Sequence, residues 1–385
     1  MNPEIKVTSE ENDTLSFTLS GVNVSLANAV RRTIINDIPT LCFRTETYKD
    51  NQCSIETNTT RFHNEIIKQR LSCIPIHSTD FNKFVGNYVV EVDEKNETET
   101  VQYITTEHFK VRNKATNGYL SRKEVADLFP PNKITGDYIL FVRLRPKIGD
   151  IPGEEIKLSC EFAVSNCANN SMYNVVSKCA YGNTIDMGKA NEAWAKISES
   201  LATEGLTAED IEFKKKNFYL LDAQRYYKPD SYDFIVKSVG VYTNNQIVKT
   251  ACRILESRLH KLLEEVKSKT VPIIDVNDED APVSRGMSVN MAMDRTYDII
   301  LENDDFTIGK MVEYYLYDKG YLDKSKRVFD FCGYKKFHPH DAHSIIRVTF
   351  ADNVEQTEER SILEYLLENA CNELGEYAKQ VGKHF

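Results

Sequence analysis

No CxxC pair occurs in the chain, although it holds nine cysteines. Cys42, Cys53, Cys73, Cys160, Cys167, Cys179, Cys252, Cys332 and Cys371 are scattered, and their number is odd. That usage fits neither the closed zinc patterns nor a secreted disulfide framework, so reduced, cytosolic thiols are expected. Triplets such as Asn58-Thr59-Thr60 are then without chemical consequence as glycosylation acceptors. Neither GxxxxGK[ST] nor GxGxxG is present, and there is no HExxH or GxSxG, which removes the common phosphate-loop, zinc-protease and hydrolase readings. No run of about 18 apolar residues exists, so no membrane span is expected. The opening residues MNPEIKVTSEEND lack the basic segment and apolar core of a signal peptide. Positive charge is also in deficit: 48 Lys and Arg stand against 58 Asp and Glu, a net charge of −10. Binding driven by phosphate neutralisation is disfavoured by that balance, though membership of a nucleic-acid machine through protein contacts is not.

Core-forming capacity is plentiful. The 385 residues are 41% hydrophobic, enough for two or three domains. The best organised stretch is LSFTLSGVNVSLANAVRRTIINDIP, residues 15–39. Leu15, Phe17 and Leu19 alternate with polar residues, as in a half-buried strand. Gly21 and Asn23 make a turn, and Ser25 stands where a helix N-cap belongs. Leu26, Val30 and Ile34 then recur at helical spacing, with Ala29 and Thr33 widening the stripe. Arg31 and Arg32 fall at the edge or back of that stripe. Pro39 restricts Ile38 and ends the helix.

Further along, TLCFRTETYKD reads as a strand, and TRFHNEIIKQRLSCIPI as a helix with Phe62, Ile66, Ile67 and Leu71 on one face and Pro75 as its stop. Residues 76–179 alternate strand-like runs with charged turns and one helical patch at 121–129, which suggests an antiparallel insertion. Residues 180–230 read as irregular, with Lys214, Lys215 and Lys216 as a solvated run. A long amphipathic helix follows at 245–267, carrying Ile247, Ala251, Leu255, Leu259 and Leu263 in one row. The acidic, Pro-containing VPIIDVNDEDAPVSRG has linker composition.

A second copy of the opening pattern comes next. Tyr297, Ile299 and Leu301 alternate, Thr307 takes the cap position, and Ile308, Met311, Val312, Tyr315 and Leu316 form a stripe, with Gly320 as a C-cap. At one constant offset and without a gap, Leu15, Phe17 and Leu19 align with Tyr297, Ile299 and Leu301. Asn23 aligns with Asp305, and Ser25 with Thr307. Each half closes on a long amphipathic helix, the last bearing Leu363, Leu366, Leu367, Ala370, Leu374, Tyr377 and Val381. The expectation is an α+β fold of two similar dimerisation units forming an intramolecular pseudo-dimer, the first unit interrupted by an antiparallel-sheet insertion domain. Its divisions are 1–52 and 181–270 for the first unit, 53–180 for the insertion, 271–290 for a linker and 291–385 for the second unit.

The densest candidate for metal chemistry is Cys332 with His338, His340, Asp341 and His343. Zinc takes such ligands. Yet His340 and His343 are only three apart around a Pro turn, so a polar turn before a strand is the competing reading. Cys160, Cys167 and Cys179 match no closed zinc pattern. No feature of the sequence singles out a catalytic acid–base pair.

VSLANAVRRTIINDIPTLCFRT, followed by IETNTTRFHNEIIKQRLSCIPIHSTD, resembles the signature of the α-like subunits of multisubunit DNA-dependent RNA polymerases. These are the third-largest subunit of eukaryotic RNA polymerase II, its archaeal D-type counterpart and the bacterial α N-terminal domain. EEIKLSCEFAVSNCANN and FIVKSVGVYTNNQIVKTACRILESRL extend the likeness. LENDDFTIGKMVEYYL and CGYKKFHPHDAHSIIRVTF resemble instead the small eleventh subunit, or its archaeal L-type counterpart, with an extra segment at 317–331. The resemblance implies two assembly subunits fused into one chain, as in large nucleocytoplasmic DNA viruses, acting in the virion and host cytoplasm, or in the nucleus if not viral. It implies a scaffold with no catalytic residues and no cofactor, which nucleates association of the two large subunits. It implies pairing through Leu26, Ala29, Val30 and Ile34 against Ile308, Met311, Val312, Tyr315 and Leu316. It also implies that Arg31, Arg32, Arg70, Ile74 and Pro75 face the second-largest subunit. The expected partners are the largest, second-largest and small polymerase subunits, with no strong direct contact to nucleic acid and none to membrane. Many family members carry a Cys-rich metal loop in the insertion; this chain has no cysteine between Cys73 and Cys160, so no metal is expected. The alternatives are a stand-alone nucleic-acid-binding protein or a zinc-dependent one.

Overall fold

The computed structural model describes residues 1–11, 13–203, 207–276, 294–322 and 327–385. Most of the expected linker at 271–290, and the middle of the segment at 317–331, lie outside the described residues.

The chain begins with an antiparallel hairpin of β1 (Glu4–Glu11) and β2 (Thr14–Ser20), in which Leu15, Phe17 and Leu19 are buried and their neighbours half-exposed. Helix α1 (Val24–Asn36) follows. Next come β3 (Thr40–Cys42), β4 (Cys53–Asn58), α2 (Asn64–Ser72), α3 (Phe81–Phe84), β5 (Tyr88–Lys95), β6 (Gln102–Thr105) and β7 (Lys110–Asn113). Then come α4 (Arg122–Leu128), β8 (Leu140–Leu144), β9 (Glu155–Glu161), β10 (Ala163–Ser165) and β11 (Val176–Ile185). Helices α5 (Met187–Thr203) and α6 (Ala208–Leu220) precede β12 (Tyr227–Ser238) and α7 (Asn244–Lys267). The chain finishes with β13 (Ile273–Asp275), β14 (Thr296–Glu302), α8 (Phe306–Gly320), β15 (Phe329–Lys335), β16 (His343–Phe350) and α9 (Glu359–Lys383).

These elements form two compact units. One comprises Met1–Thr33, Lys178–Val236 and Val248–Phe385; the other comprises Ile34–Ser177 and Lys237–Ile247. The first unit holds two four-stranded sheets, ordered β1-β2-β12-β11 and β13-β14-β16-β15. The orders correspond strand for strand. In each sheet the strand preceding the first helix (β2 or β14) lies beside the strand preceding the long closing helix (β12 or β16). The repeat read from sequence is therefore a repeat of topology.

Residues 180–230 are not irregular. Ala190, Ala193 and Trp194 of α5 recur at helical spacing and pack with Phe218 of α6, Ala223 and Tyr226 in a small separate cluster. The Thr207 hydroxyl caps α6 by accepting from the Asp210 N–H. Lys214, Lys215 and Lys216 lie on the exposed side of α6, and Lys216 pairs with Glu212 one turn earlier at 3.1 Å. That is a solvated helix face, as the sequence suggests.

In the second unit the main sheet runs β4-β9-β5-β7. Ile156, Leu158 and Cys160 point inward from β9 while their neighbours are half-exposed. The core they join is aromatic: Phe109 meets Phe129 and Phe141 edge-on, each at 5.4 Å between centroids. Ser121 and Glu124 form a reciprocal capping box at the start of α4. Among the described residues, no helix is long and apolar enough to cross a membrane.

Candidate subunit-pairing site

Helix α1 starts one residue before the expected cap. The Ser25 N–H donates to the Asn23 side-chain oxygen at 2.8 Å, so Asn23 is the cap, and the Ser25 hydroxyl is buried without a partner. Helix α8 repeats this. Asp305 accepts from the Thr307 N–H at 2.9 Å, and Thr307 is itself inside the helix. Both caps thus lie two residues upstream of the positions expected from sequence, at the pair of positions that the repeat aligns. Asn23→Ala is expected to lower stability by about 1 kcal/mol. Ser25→Ala, which removes an unsatisfied hydroxyl, should leave the unfolding temperature unchanged or raise it. Thermal unfolding of the two variants decides between the caps.

From these caps the stripes run as expected. Leu26, Ala29, Val30, Thr33 and Ile34 are buried on α1; Ile308, Met311, Val312, Tyr315 and Leu316 are buried on α8. Gly309 lets α8 lie close to β15, for a Cβ there would sit 2.1 Å from the Tyr334 ring. That contact explains a glycine in a helix interior, where it otherwise costs about 1 kcal/mol.

Two polar contacts fix how α1 and α8 cross. Near the end of α1, Arg32 donates from Nε to the Thr307 hydroxyl at 3.0 Å and from Nη2 to Asp305 at 2.5 Å. Near its start, the Asn23 side chain comes close enough to the Tyr314 hydroxyl to offset part of the burial that raises the tyrosine pKa. The offset that aligns Asn23 with Asp305 also aligns Arg32 with Tyr314. Each contact is thus the image of the other: the cap of one helix meets the residue nine positions past the cap of its partner. A two-fold relation between like helices requires this reciprocity, and contacts that join the start of each helix to a point nine residues further along the other mean that they run antiparallel. The long helices obey the same rule. Lys379 of α9 approaches Glu256 of α7 at 3.8 Å, and three residues further along α9 a Cβ on Gly382 would lie 3.0 Å from the Cys252 Cβ. The chain ends join in, with Phe17 of β2 stacked on Phe234 of β12 and met edge-on by Phe385, each at 5.0 Å.

Charge at the crossing is arranged to survive partial burial. Burial works to raise the Asp305 pKa. The Thr307 N–H and hydroxyl and the Arg32 guanidinium outweigh it and hold the carboxyl below its ordinary range. Beside it, Arg258 of α7 pairs with Asp304. Across α8, the Tyr315 hydroxyl donates to Glu373 of α9 at 2.8 Å, and burial with that bond raises the tyrosine pKa.

The residues expected to face another subunit have the following partners within the chain. Arg32 is committed to Asp305 and Thr307, inside the pairing contact rather than away from it. The reason is positional: it sits at the edge of the apolar stripe, within reach of the facing helix cap. Arg31 is half-exposed and donates to Asn28 on its own helix at 2.9 Å. Arg70 belongs to the second unit, where it donates to the carbonyls of Leu140 and Phe141, each at 2.7 Å, and so ties α2 to β8. Ile74 is buried there and Pro75 half-buried. Arg31 and Arg32 are brought together on α1; Arg70, Ile74 and Pro75 are gathered separately in the second unit.

The His-rich turn is self-contained. The His338 N–H donates to Asp341, and the His340 N–H donates to His338 Nδ1 at 3.1 Å. Among the described residues no three His, Cys, Asp or Glu side chains gather as a metal site.

The family described as the RNA polymerase Rpb3/Rpb11 dimerisation domain matches residues 16–259. The chain is 23% identical over 285 residues to DNA-directed RNA polymerase subunit Rpo3 of Pyrococcus horikoshii, covering 69% of this chain and 98% of the relative. It is 22% identical over 311 residues to DNA-directed RNA polymerases I and III subunit RPAC1 of Mus musculus, covering 69% and 85%. Over a shorter span of 82 residues it is 34% identical to DNA-directed RNA polymerase II subunit rpb3 of Dictyostelium discoideum, covering 21% and 25%. The matched region takes in α1 with its cap, the insertion, and the start of the closing helix α7. The match spans more than half of the chain, which therefore belongs to the RNA polymerase Rpb3/Rpb11 dimerisation-domain family.

Proposed function

We propose that this chain supplies both halves of a polymerase dimerisation module in one polypeptide, as a non-catalytic subunit that nucleates association of the largest and second-largest polymerase subunits. The observation that carries this reading is the second sheet, β13-β14-β16-β15, which repeats the order of the first and offers α8 to α1 in reciprocal antiparallel contact. Fusion through the 271–290 segment turns a bimolecular encounter into an intramolecular one at high effective concentration. Arg31, half-exposed and hydrogen-bonded within its own turn, is the α1 residue best placed to meet a catalytic subunit. The resemblance to fused viral subunits suggests a viral transcription apparatus working in the virion and the host cytoplasm.

Affinity purification from the native source, with mass spectrometry, tests the reading. Two very large polymerase subunits are expected as the dominant co-purifying chains, and their absence would remove it. Light scattering of the isolated chain separates the internal pair from self-association. A monomer is expected; a stable dimer would mean that the apolar stripes pair between chains.

A further inference from the structure

Cys53 and Cys160 stand opposite one another in the antiparallel pair β4–β9. One step outward the Glu161 N–H donates to the Gln52 carbonyl at 3.2 Å. Hydrogen-bonded and non-hydrogen-bonded sites alternate along such a ladder, so the cysteines occupy a non-hydrogen-bonded site, where facing Cα atoms approach to about 4.5 Å. A disulfide spans Cα separations of about 4.4–6.8 Å. Both side chains point to the same buried face, Cys53 4% and Cys160 0% exposed, and both are free thiols. The two thiols are close enough to influence one another's ionisation, and the Cys160 thiol donates to the Glu161 carbonyl at 3.6 Å. Strand β4 is an edge of its sheet, and its register is broken between Ile55 and Thr57. Edge strands of this kind open locally at low cost, which gives a small oxidant access without global unfolding.

We propose that Cys53 and Cys160 are a reversible disulfide-forming site, converted by a hydroperoxide into a cross-strand bond that staples β4 to β9. Cys53 is the attacking thiol. The neighbouring Cys160 thiol and the nearby Lys68 ammonium favour its thiolate against burial, whereas the Cys53 neighbour and burial raise the Cys160 pKa. The Cys53 sulfur displaces one oxygen of the peroxide bond to form a sulfenic acid, releasing water or an alcohol. The Cys160 sulfur then attacks the Cys53 sulfur, the S–S bond forms and hydroxide leaves as water, taking up the Cys160 proton. Two thiols lose two electrons and two protons, and the peroxide is reduced. Cys42 does not compete: it faces Ala163 across its ladder, and burial with the Glu46 charge pushes its pKa up to about 12.

The full chain treated with hydrogen peroxide, alkylated and mapped by peptide mass spectrometry tests this. The expected product is a Cys53–Cys160 linked peptide, a mass loss of about 2 Da reversed by dithiothreitol, and an unfolding temperature raised by about 5 °C or more, because the bond closes a long loop. Cys160→Ser should abolish the linked peptide; if that variant does not fold, the map of the unaltered chain decides alone. Free thiols at both positions, sulfinic acid at Cys53, or linkage between chains through the exposed Cys73 would each overturn the proposal.

Discussion

Val30→Asp is expected to destabilise the chain by about 4 kcal/mol and to lower its unfolding temperature by about 10 °C. Val30 is 0% exposed and lies between the two polar anchors of the α1–α8 crossing, on the stripe with Leu26 and Ala29. A carboxylate there loses its water, and Arg32, two residues further along, already serves Asp305. The new group must either stay charged and unpaired or take a proton, and both are costly. Val24→Asp is the control. Val24 is 47% exposed in the first turn of the same helix, where a carboxylate complements the helix dipole. Its unfolding temperature should stay within about 1 °C of the parent. Equal melting of the two variants would show that α1 does not bury this face against its partner. In a polymerase preparation, Val30→Asp should also reduce recovery of the large subunits, because the paired unit is what they would meet.

The pairing helices are legible in the sequence because their apolar residues carry the helical period and because that period occurs twice at one offset. The caps are displaced by two residues from their expected places for a physical reason. Ser25 and Thr307 are good cap residues standing just before an apolar run, but Val24 and Phe306 already belong to the helices, and Asn23 and Asp305 hold the first free N–H groups. A rule that takes the last polar residue before the stripe cannot see a helix that begins with an exposed apolar residue. Helices α5 and α6 escape the sequence reading although Ala190, Ala193 and Trp194 are correctly spaced. Alanine contributes little to an apolar stripe, and the cluster these residues build is small and local.

The roles of the arginines are less legible, because a side chain at the edge of a stripe can turn either way. What decides the matter for Arg32 is a carboxylate 273 residues along the chain, and for Arg70 two carbonyls about 70 residues away. The sequence carries such partners only through the register of the whole fold. The repeat alignment does contain a usable signal, since it places Asp305 at the cap that faces the end of α1. Under two-fold reciprocity the alignment links the two contacts, so that Arg32 meeting Asp305 entails Asn23 meeting Tyr314, while the register that brings either pair together is set by the fold.

Arg32→Ala is expected to lower the stability of the isolated chain by about 2 kcal/mol, since it removes two hydrogen bonds from a charged donor at a partly buried site. Asp305→Ala should cost somewhat more, because it also removes the cap of α8. The double variant should cost less than the sum by about 1 kcal/mol, the coupling of residues in direct contact. Acid adds an independent axis. The folded Asp305 pKa lies below its ordinary value of 3.8, so its contribution is complete above that pH and is lost as pH falls through the lower, folded value. Arg32 is one of the groups that lower it, so Arg32→Ala should narrow this acid window, and the difference in stability between parent and variant should shrink below pH 3.8. An arginine that served only a catalytic subunit would behave otherwise. Its loss would leave the melting and acid unfolding of the isolated chain unmoved and would appear only as weaker co-purification of the large subunits. Additive single-variant costs, with parallel acid curves, would return Arg32 to the outward role that its family resemblance implies and would leave the crossing to Asn23, Tyr314 and the apolar stripes.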